Sequence, residues 1–288
     1  MNIWGCCCND AYKKQVKGKI KNIAKNNKAD ARILLRMYMM ERFLERVAVS
    51  SHSDGFIIKG GILVTSMVGV SMRSTMDIDT TIRGINLTEE DVLPIIQEIC
   101  GIDLDDGVTF AIKEVSGIMD EMEYPGLRLA VDAYLGDMVT PIKVDISTGD
   151  VITPRAVEYD YKLMLENRSI KLWSYNLETI LAEKLQTVLA RGTLNTRMRD
   201  FYDVYALMLR FDGQIDNRIL KQAFDATCRK RGAEGLLKDA GSILSRIAGD
   251  TNMNSLWSSY RRKYEYASEL SFEGAINRIE QLVNRIVV

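Results

Sequence analysis

Two aspartates stand two residues apart in the run Asp77-Ile78-Asp79-Thr80-Thr81-Ile82 of this 288-residue sequence. β-Branched residues crowd the run, which predicts a strand over residues 77–83, and residues i and i+2 of a strand point to the same side. Converging carboxylates are costly unless a cation neutralises them, and hard oxygen ligands suit Mg²⁺ or Mn²⁺. The spacing therefore predicts that Asp77 and Asp79 hold a divalent metal of the kind that serves phosphoryl transfer.

A third carboxylate from another strand would complete such a metal site. Asp145 is the candidate, because the alternation of the predicted strand 141–146 puts Lys143 and Asp145 on one face. Asp132, in the predicted strand 127–135, competes for the same role.

Two glycines, Gly60 and Gly61, follow the predicted strand 56–59 and precede the predicted helix 62–70. Glycine lets other groups approach the backbone closely, and the first N–H groups of a helix are free to bind anions. The pair could therefore hold a triphosphate against the start of the helix.

The second half of the chain supplies a lysine and two further acids. Lys184 falls inside the apolar stripe of the predicted helix 177–189, where a lysine is costly unless it meets an anion. That anion is either a bound phosphate or a local carboxylate. On the predicted helix 198–209, Asp200 and Asp203 share a face. They are either functional acids or partners of nearby arginines.

The elements that must position these residues follow from the periodicity of apolar side chains. Residues 9–49 show helical spacing, and β-rich runs follow at 56–59, 77–83, 109–115, 127–135 and 141–146. Helical patterns fill 62–70 and 89–100, and after Pro154 only helical patterns are found, at 177–189, 198–209, 219–228 and 272–287. We therefore expect an α/β (α+β) fold with a mixed sheet in residues 1–153 and a helical lobe in residues 154–288.

Composition narrows the chemistry further. The sequence has a single histidine, His52, so a histidine-ligated zinc site is not expected. Residues 11–46 carry 11 basic and 3 acidic residues, residues 47–150 carry 6 and 18, and residues 151–288 carry 21 and 17. Basic flanks around an acidic centre suit a polyanion whose reacting phosphates lie on carboxylate-bound metal ions, although a basic solvated helix face would give the same pattern near the N-terminus.

Two further features bear on location. No run is apolar enough for a membrane span and no secretory signal is found, so we expect a cytoplasmic protein without a membrane partner. Cys6, Cys7 and Cys8 match neither a disulfide framework nor a metal motif, and we expect reduced thiols.

The order of strand, Gly-Gly, helix, Asp-x-Asp and later strand Asp resembles the polymerase-β-type nucleotidyltransferases. The match extends to the AbiEii/AbiGii toxin family, which the chain resembles over about residues 55–210. Three stretches carry this resemblance: Lys59-Gly60-Gly61 through Arg73-Ser74-Thr75-Met76-Asp77-Ile78-Asp79, then Lys143-Val144-Asp145-Ile146-Ser147, and finally Glu183-Lys184-Leu185 with Arg197-Met198-Arg199-Asp200-Phe201-Tyr202-Asp203.

The resemblance implies a polymerase-β-like nucleotidyltransferase lobe followed by a helical lobe. It implies an Mg²⁺- or Mn²⁺-dependent enzyme that transfers NMP from an NTP, GTP among the candidates, to an RNA hydroxyl such as a tRNA 3′ end. Such toxins act in abortive phage infection or growth arrest opposite an AbiEi-type antitoxin, and we expect a monomer. The implied roles are nucleotide binding by Lys59, Gly60, Gly61, Arg73, Thr75 and Lys184, metal binding by Asp77, Asp79 and Asp145, and catalysis by Asp79, Lys184, Asp200 and Asp203.

Other functions compete with RNA nucleotidylation. The same fold serves nucleotidylation of proteins and of small molecules, and a non-catalytic NTP-binding regulator would share its site. A ribonuclease would need Arg46 and His52 on one helical face, but residues 50–54 read as a loop.

Overall fold

A computed structural model of the chain describes residues 4–118 and 126–287. The side chains of residues 4–11 also lie outside this description, so the expectation for Cys6, Cys7 and Cys8 lies outside the described residues. The strands are β1 (Phe56–Lys59), β2 (Ile78–Ile82), β3 (Val108–Ile118), β4 (Gly126–Leu135), β5 (Met138–Thr148), β6 (Val157–Lys162) and β7 (Ser169–Ser174). The helices are α1 (Trp4–Asn27), α2 (Ala31–Val49), α3 (Gly60–Val68), α4 (Glu89–Gly101), α5 (Leu177–Arg191), α6 (Met198–Phe211), α7 (Asn217–Lys230), α8 (Ala240–Gly249), α9 (Thr251–Lys263) and α10 (Phe272–Asn284).

The strands form one mixed sheet in the order β3-β4-β5-β2-β1-β7-β6. Strand β2 runs parallel to β5, and β1 runs parallel to β7. The remaining neighbours are antiparallel. The expected mixed sheet is confirmed, and every strand predicted before residue 150 is present with its ends shifted by a few residues.

The central strands separate an apolar face from a polar one, as the two-residue period of a strand requires. Leu129, Val144, Ile78 and Ile58 are fully buried. They occupy one side of β4, β5, β2 and β1, and the residues next to them in each strand project to the other side. That polar side carries the candidate site.

The hairpin of β6 and β7 was not predicted, and the expectation that strands end before Pro154 was wrong. Its two strands, Val157-Glu158-Tyr159-Asp160-Tyr161-Lys162 and Ser169-Ile170-Lys171-Leu172-Trp173-Ser174, alternate polar with apolar residues. Strand β6 lies at the edge of the sheet, where one flank needs no partner strand and charged residues are tolerated. Helices α8 and α9 were also not predicted.

The chain divides into two compact units. The first comprises residues 1–66, 74–150 and 157–174, so the β6–β7 hairpin belongs to it. The second comprises residues 67–73, 151–156 and 175–288, and it is built from helices. Several of these helices begin at a side chain that accepts a hydrogen bond from the first turn: Asn176 for α5, Asp216 for α7, Asp250 for α9 and Ser271 for α10.

No helix in the described ranges is long and apolar enough to cross a membrane.

One buried ion pair fixes α2 in the first unit. The Arg46 side chain is 1% exposed and donates to both carboxylate oxygens of Asp106 at 2.9 Å. It also donates to the carbonyls of Ile102, Arg42 and Val108. His52 lies beyond the end of α2 and bonds Glu98 at 3.0 Å. Arg46 is therefore committed to structure, which removes the basis for the ribonuclease alternative.

Replacing Asp106 by alanine leaves the buried Arg46 guanidinium without its anion. We expect a loss of about 3–5 kcal/mol in the free energy of unfolding, measured by urea denaturation. Lys171→Ala, which breaks the exposed pair with Glu158, is the control and should cost little, because exposed ion pairs contribute little to stability. Equal losses in the two variants would contradict the assignment.

Candidate active site

Four charged residues lie in one row across the centre of the sheet. The strand register pairs Lys59 with Asp79, Asp79 with Asp145, and Asp145 with Arg128. Directly opposed residues of neighbouring strands project to the same face. The row therefore reads Lys59, Asp79, Asp145, Arg128, with the two carboxylates side by side at its centre.

Asp79 is held at the start of helix α3. Its Oδ2 accepts a hydrogen bond from the backbone N–H of Gly61 at 3.1 Å. A Cβ at Gly60 would lie 2.1 Å from the same oxygen, and Gly60 has a φ of +57°. Only glycine meets both conditions, so Gly60 is required by the approach of Asp79. In this arrangement the Gly61 N–H donates to the Asp79 carboxylate. A triphosphate would have to compete with that carboxylate for the N–H group.

The environment of Asp79 disfavours its charge. Burial raises the pKa of Asp79, and the neighbouring Asp145 and Asp77 raise it further, whereas the Gly61 hydrogen bond and Lys59 act against the shift. Asp77 lies just before β2 and is partly exposed, and its carbonyl accepts a bond from the buried Thr75 hydroxyl at 3.4 Å. Asp77 and Asp79 are thus electrostatically coupled at the head of one strand.

Asp145 is already paired with a cation. Arg128 donates from Nε and Nη2 to its two carboxylate oxygens, both at 2.8 Å. This bidentate geometry is the strong form of an arginine–carboxylate pair. Asp132 lies opposite Pro141 instead, four residues further along β4 than Arg128. At about 3.4 Å per residue, that places it more than about 10 Å along the strand from the row, and it is not the competitor the sequence suggested.

Lys59 forms a second fixed contact on the same face. Its ammonium group donates to the Ser147 hydroxyl at 2.7 Å and to the buried carboxylate of Asp150. Ser147 in turn donates to Asp150 at 2.9 Å. The ammonium group of Lys59, the expected nucleotide-binding lysine, is therefore bound to a residue of β5 and to a residue just after that strand.

The oxygen donors fit a hard divalent cation at one part of this row. Asp79 is a half-buried carboxylate whose charge its acidic neighbours disfavour, and a cation at Asp77 and Asp79 would relieve that cost. Asp145 fits less well, because a metal would have to displace Arg128. Among the described residues, no cluster of three or more His, Cys, Asp or Glu side chains is arranged to hold a metal.

The second unit contains a separate charged cluster. The Lys184 ammonium group lies 2.7 Å from Asp203 Oδ2 and 3.0 Å from Asp200 Oδ1. Arg73 donates to both oxygens of Asp203, at 3.0 and 3.2 Å. Lys184, Arg73, Asp200 and Asp203 are all buried. The interpretation that Lys184 meets local carboxylates is confirmed, and the acids also have the expected arginine partner, since Arg197 lies 2.9 Å from Asp200.

Opposite charges govern protonation in this cluster. Burial alone would raise the pKa of Asp203, but Arg73 and Lys184 lower it to about 2. Burial would likewise lower the pKa of Lys184, yet Asp203 and Asp200 raise it. Asp203 and Lys184 are therefore both ionised at neutral pH. Asp200 Oδ2 has an arginine close by but makes no hydrogen bond of acceptable geometry, which leaves it the least satisfied acceptor.

The structure brings the expected site residues together in two groups. Lys59, Gly60, Gly61, Asp79 and Asp145 meet on the sheet, with Asp77 at the head of β2 and Thr75 before it. Arg73, Lys184, Asp200 and Asp203 meet among the helices. The sequence interpretation missed Arg128 and Asp150. A signal for Arg128 was present, because a two-residue turn at Gly136 and Asp137 fixes the hairpin register and places residue 128 opposite residue 145.

Residues 42–282 match the model of the AbiEii family, described as nucleotidyl transferase toxins of a type IV toxin–antitoxin system. No curated protein matches the chain. A putative nucleotidyltransferase from H. pylori is similar in structure, with a TM-score of 0.51 and 15% identity over 89% of this chain and 95% of that one. JHP933 from Helicobacter pylori gives 0.50 and 14%, over 89% and 92%. These two likenesses support the fold.

Gly60→Ala should disturb Asp79 directly. The left-handed backbone conformation costs about 1–2 kcal/mol for a residue with a Cβ, and overpacking adds about 1–3 kcal/mol. Gly84→Ala is the matched control, because Gly84 has a φ of +73° with open space around it. Thermal or urea denaturation should therefore show a larger loss for Gly60→Ala. A loss no greater than that of Gly84→Ala would mean that the approach of Asp79 does not require glycine.

The low pKa of Asp203 gives a pH dependence of stability. A depressed pKa contributes stability that is present above the unfolded value near about 4 and is lost as the pH falls toward 2. Asp203→Asn should cost about 3–5 kcal/mol at pH 7 and should flatten the stability curve between about pH 4 and pH 2. Asp225→Asn, which alters an exposed pair with Lys221, should leave both unchanged. An acid limb of unchanged steepness in Asp203→Asn would refute the pairing.

Proposed function

The chain belongs to the AbiEii family of nucleotidyl transferase toxins, and from this premise we propose that it transfers NMP from an NTP to a hydroxyl group of RNA. The 3′ end of tRNA is the proposed acceptor. The observation that supports the proposal is the register of Asp79 and Asp145 beside the Gly60-Gly61 start of helix α3. This combination supplies carboxylates for a metal and backbone N–H groups for phosphates on one face of one sheet.

The metal in this proposal is Mg²⁺ or Mn²⁺, held by Asp77 and Asp79. Bound there, it would neutralise charge on the triphosphate and on the oxygens that attack and leave. Asp145 joins the set only if Arg128 releases it. We therefore propose Asp77 and Asp79 as the primary ligands and Asp145 as a ligand conditional on that release.

The remaining residues bind and orient. In the proposal, the Gly61 N–H exchanges its carboxylate partner for a phosphate oxygen at the helix start, where the helix dipole favours negative charge. Lys59 supplies positive charge on the same face. Thr75 holds the backbone before Asp77 through its bond to the Asp77 carbonyl. Together these residues fix the reacting phosphate against the acidic pair.

The cluster of the second unit carries the other proposed roles. Lys184 and Arg73 are its cations, the proposed phosphate-binding groups of this unit, and both are paired with Asp203. Asp200 is proposed as the base toward the attacking hydroxyl, because its Oδ2 is ion-paired with Arg197 but accepts no hydrogen bond of good geometry. Asp203 then positions Lys184 and Arg73 and does not itself accept the proton.

The biological setting follows from the family. We propose that the protein arrests growth during phage infection, acts in the cytoplasm as a monomer, and is opposed by an AbiEi-type antitoxin. The antitoxin is proposed as a genetic partner, since no described surface of this chain identifies a contact.

The proposal is tested by supplying each α-³²P-labelled NTP with Mg²⁺, deacylated tRNA and lysate protein, then mapping the labelled 3′ end. We expect the label in RNA and at least a hundredfold loss in Asp79→Asn, the range typical for removing a group that stabilises transition-state charge. Asp132→Asn, a carboxylate on the same sheet outside the row, should keep near wild-type activity.

Other outcomes separate the alternatives. Label in protein or in a small molecule would replace the RNA acceptor with nucleotidylation of that target. Tight NTP binding without turnover would indicate a regulator. Full growth arrest by Asp79→Ala in cells would contradict the catalytic role of the row.

A further inference from the structure

A cluster of four tyrosines in the second unit has no role in the proposed chemistry. We define the tyrosine platform as Tyr202, Tyr260, Tyr264 and Tyr266. Tyr264 and Tyr266 stack with ring centroids 5.3 Å apart and an interplanar angle of 23°. Tyr266 also contacts Tyr202 at 4.9 Å, and Tyr264 contacts Tyr260 at 4.8 Å.

Two tyrosines of the platform are buried and two are partly exposed. Tyr202 and Tyr260 are 2% and 7% exposed, whereas Tyr264 and Tyr266 are only half-buried. The Tyr202 hydroxyl donates to the Met72 carbonyl at 2.6 Å, which holds Tyr202 close to Arg73 in the structure. The stacked rings of Tyr264 and Tyr266 leave part of their surface open to solvent.

Positive charge surrounds the partly exposed tyrosines. The Arg199 guanidinium lies 5.3 Å from the centre of the Tyr264 ring and donates to the Tyr264 hydroxyl at 2.7 Å. The Lys263 ammonium group lies 5.5 Å from the same ring centre. Lys263 is exposed, as is Arg262, and Glu265 is the one acid between residues 260 and 266. Basic residues at a helix end also balance its dipole, but Arg261 already serves the chain there by donating to the Ser268 carbonyl.

We propose that the tyrosine platform binds single-stranded RNA, with a base stacked on Tyr264 and Tyr266 and the neighbouring phosphates on Lys263 and Arg262. Stacked aromatic rings accept any base because every base presents a π face, and flanking cations follow the backbone. An acidic peptide would use the cations but would have no need of the stacked rings. This inference rests on the proposed function and locates the acceptor on the helical unit.

The position suits an acceptor strand. Tyr202 is adjacent in sequence to Asp203, and its hydroxyl is bonded to the residue before Arg73. RNA on the platform would therefore run beside the cluster that contains Lys184, Asp200 and Asp203, all within the second unit. The cluster would then lie within reach of a strand end that the platform orients.

The test is fluorescence anisotropy of the full chain with a labelled single-stranded RNA oligonucleotide, without NTP. Tyr264→Ala should weaken binding about thirtyfold, the middle of the range for loss of one stacked base. Tyr264→Phe keeps the ring, loses only the Arg199 bond, and should stay within about threefold of wild type. Lys263→Ala should weaken binding and lower the slope of log affinity against log salt by about 0.7. Lys221→Ala, an exposed lysine of the same unit, should change neither.

The outcomes are distinguishable from those of the proposed function. Wild-type binding that Tyr264→Ala and Lys263→Ala both leave unchanged would overturn the platform, even if the enzyme labels RNA. So would polyglutamate competing as well as RNA while Tyr264→Ala has no effect. Failure to label RNA, with platform-dependent RNA binding intact, would instead count against the proposed transfer reaction. Near-ultraviolet circular dichroism of Tyr264→Ala would confirm that the variant is folded. If it is not, Lys263→Ala keeps the test decisive, because its expected loss of affinity and lower salt slope do not require a change in the aromatic cluster.

Discussion

The carboxylates of Asp79 and Asp145 lie side by side on two parallel strands, and the polar face of the first unit must accommodate their repulsion. Asp79 and Asp145 occupy the same level of β2 and β5, so their charges repel across one strand spacing in a partly dry environment. The two negative charges are compensated by different partners. Asp145 receives a bidentate arginine, while Asp79 receives one backbone N–H at a helix start. The charge of Asp79 is therefore the less compensated of the two, which makes it the carboxylate that gains most from a cation.

The second unit also contains two neighbouring carboxylates, but there each of them is paired with cationic side chains. Lys184 and Arg73 bring two positive charges to Asp203 and Asp200 in a buried site, and the mutual pairing keeps Lys184, Arg73 and Asp203 ionised. Such a network stabilises little in total, because each ion loses its hydration, but removing any one member leaves an unpaired buried charge. Its value lies in holding charged groups in fixed positions. The tyrosine platform is attached to this network through Tyr202.

The sequence predicted the local elements well because their signals are local. Strand alternation located β2 and β5, and the lysine inside the apolar stripe of α5 correctly indicated an anionic partner. The β6–β7 hairpin was not predicted although both strands alternate polar with apolar residues, because the charged residues of the edge strand β6 weaken its strand signal. The pairing of Asp79 with Asp145 could not be read from the sequence, since it depends on which strands become neighbours. The platform was likewise hidden: Tyr260, Tyr264 and Tyr266 are close in the chain, but Tyr202 joins them only through the packing of helices.

The central claim is that Asp79 belongs to a metal-bound triphosphate site on the sheet. The most direct measurement is a crystal structure of the chain with Mn²⁺ and a non-hydrolysable NTP, in which anomalous scattering locates the metal. Mn²⁺ is expected within coordination distance of an Asp79 carboxylate oxygen, with triphosphate oxygens on the same ion. The claim would be contradicted by a nucleotide bound elsewhere while Asp79 still accepts the Gly61 N–H and no metal lies beside it.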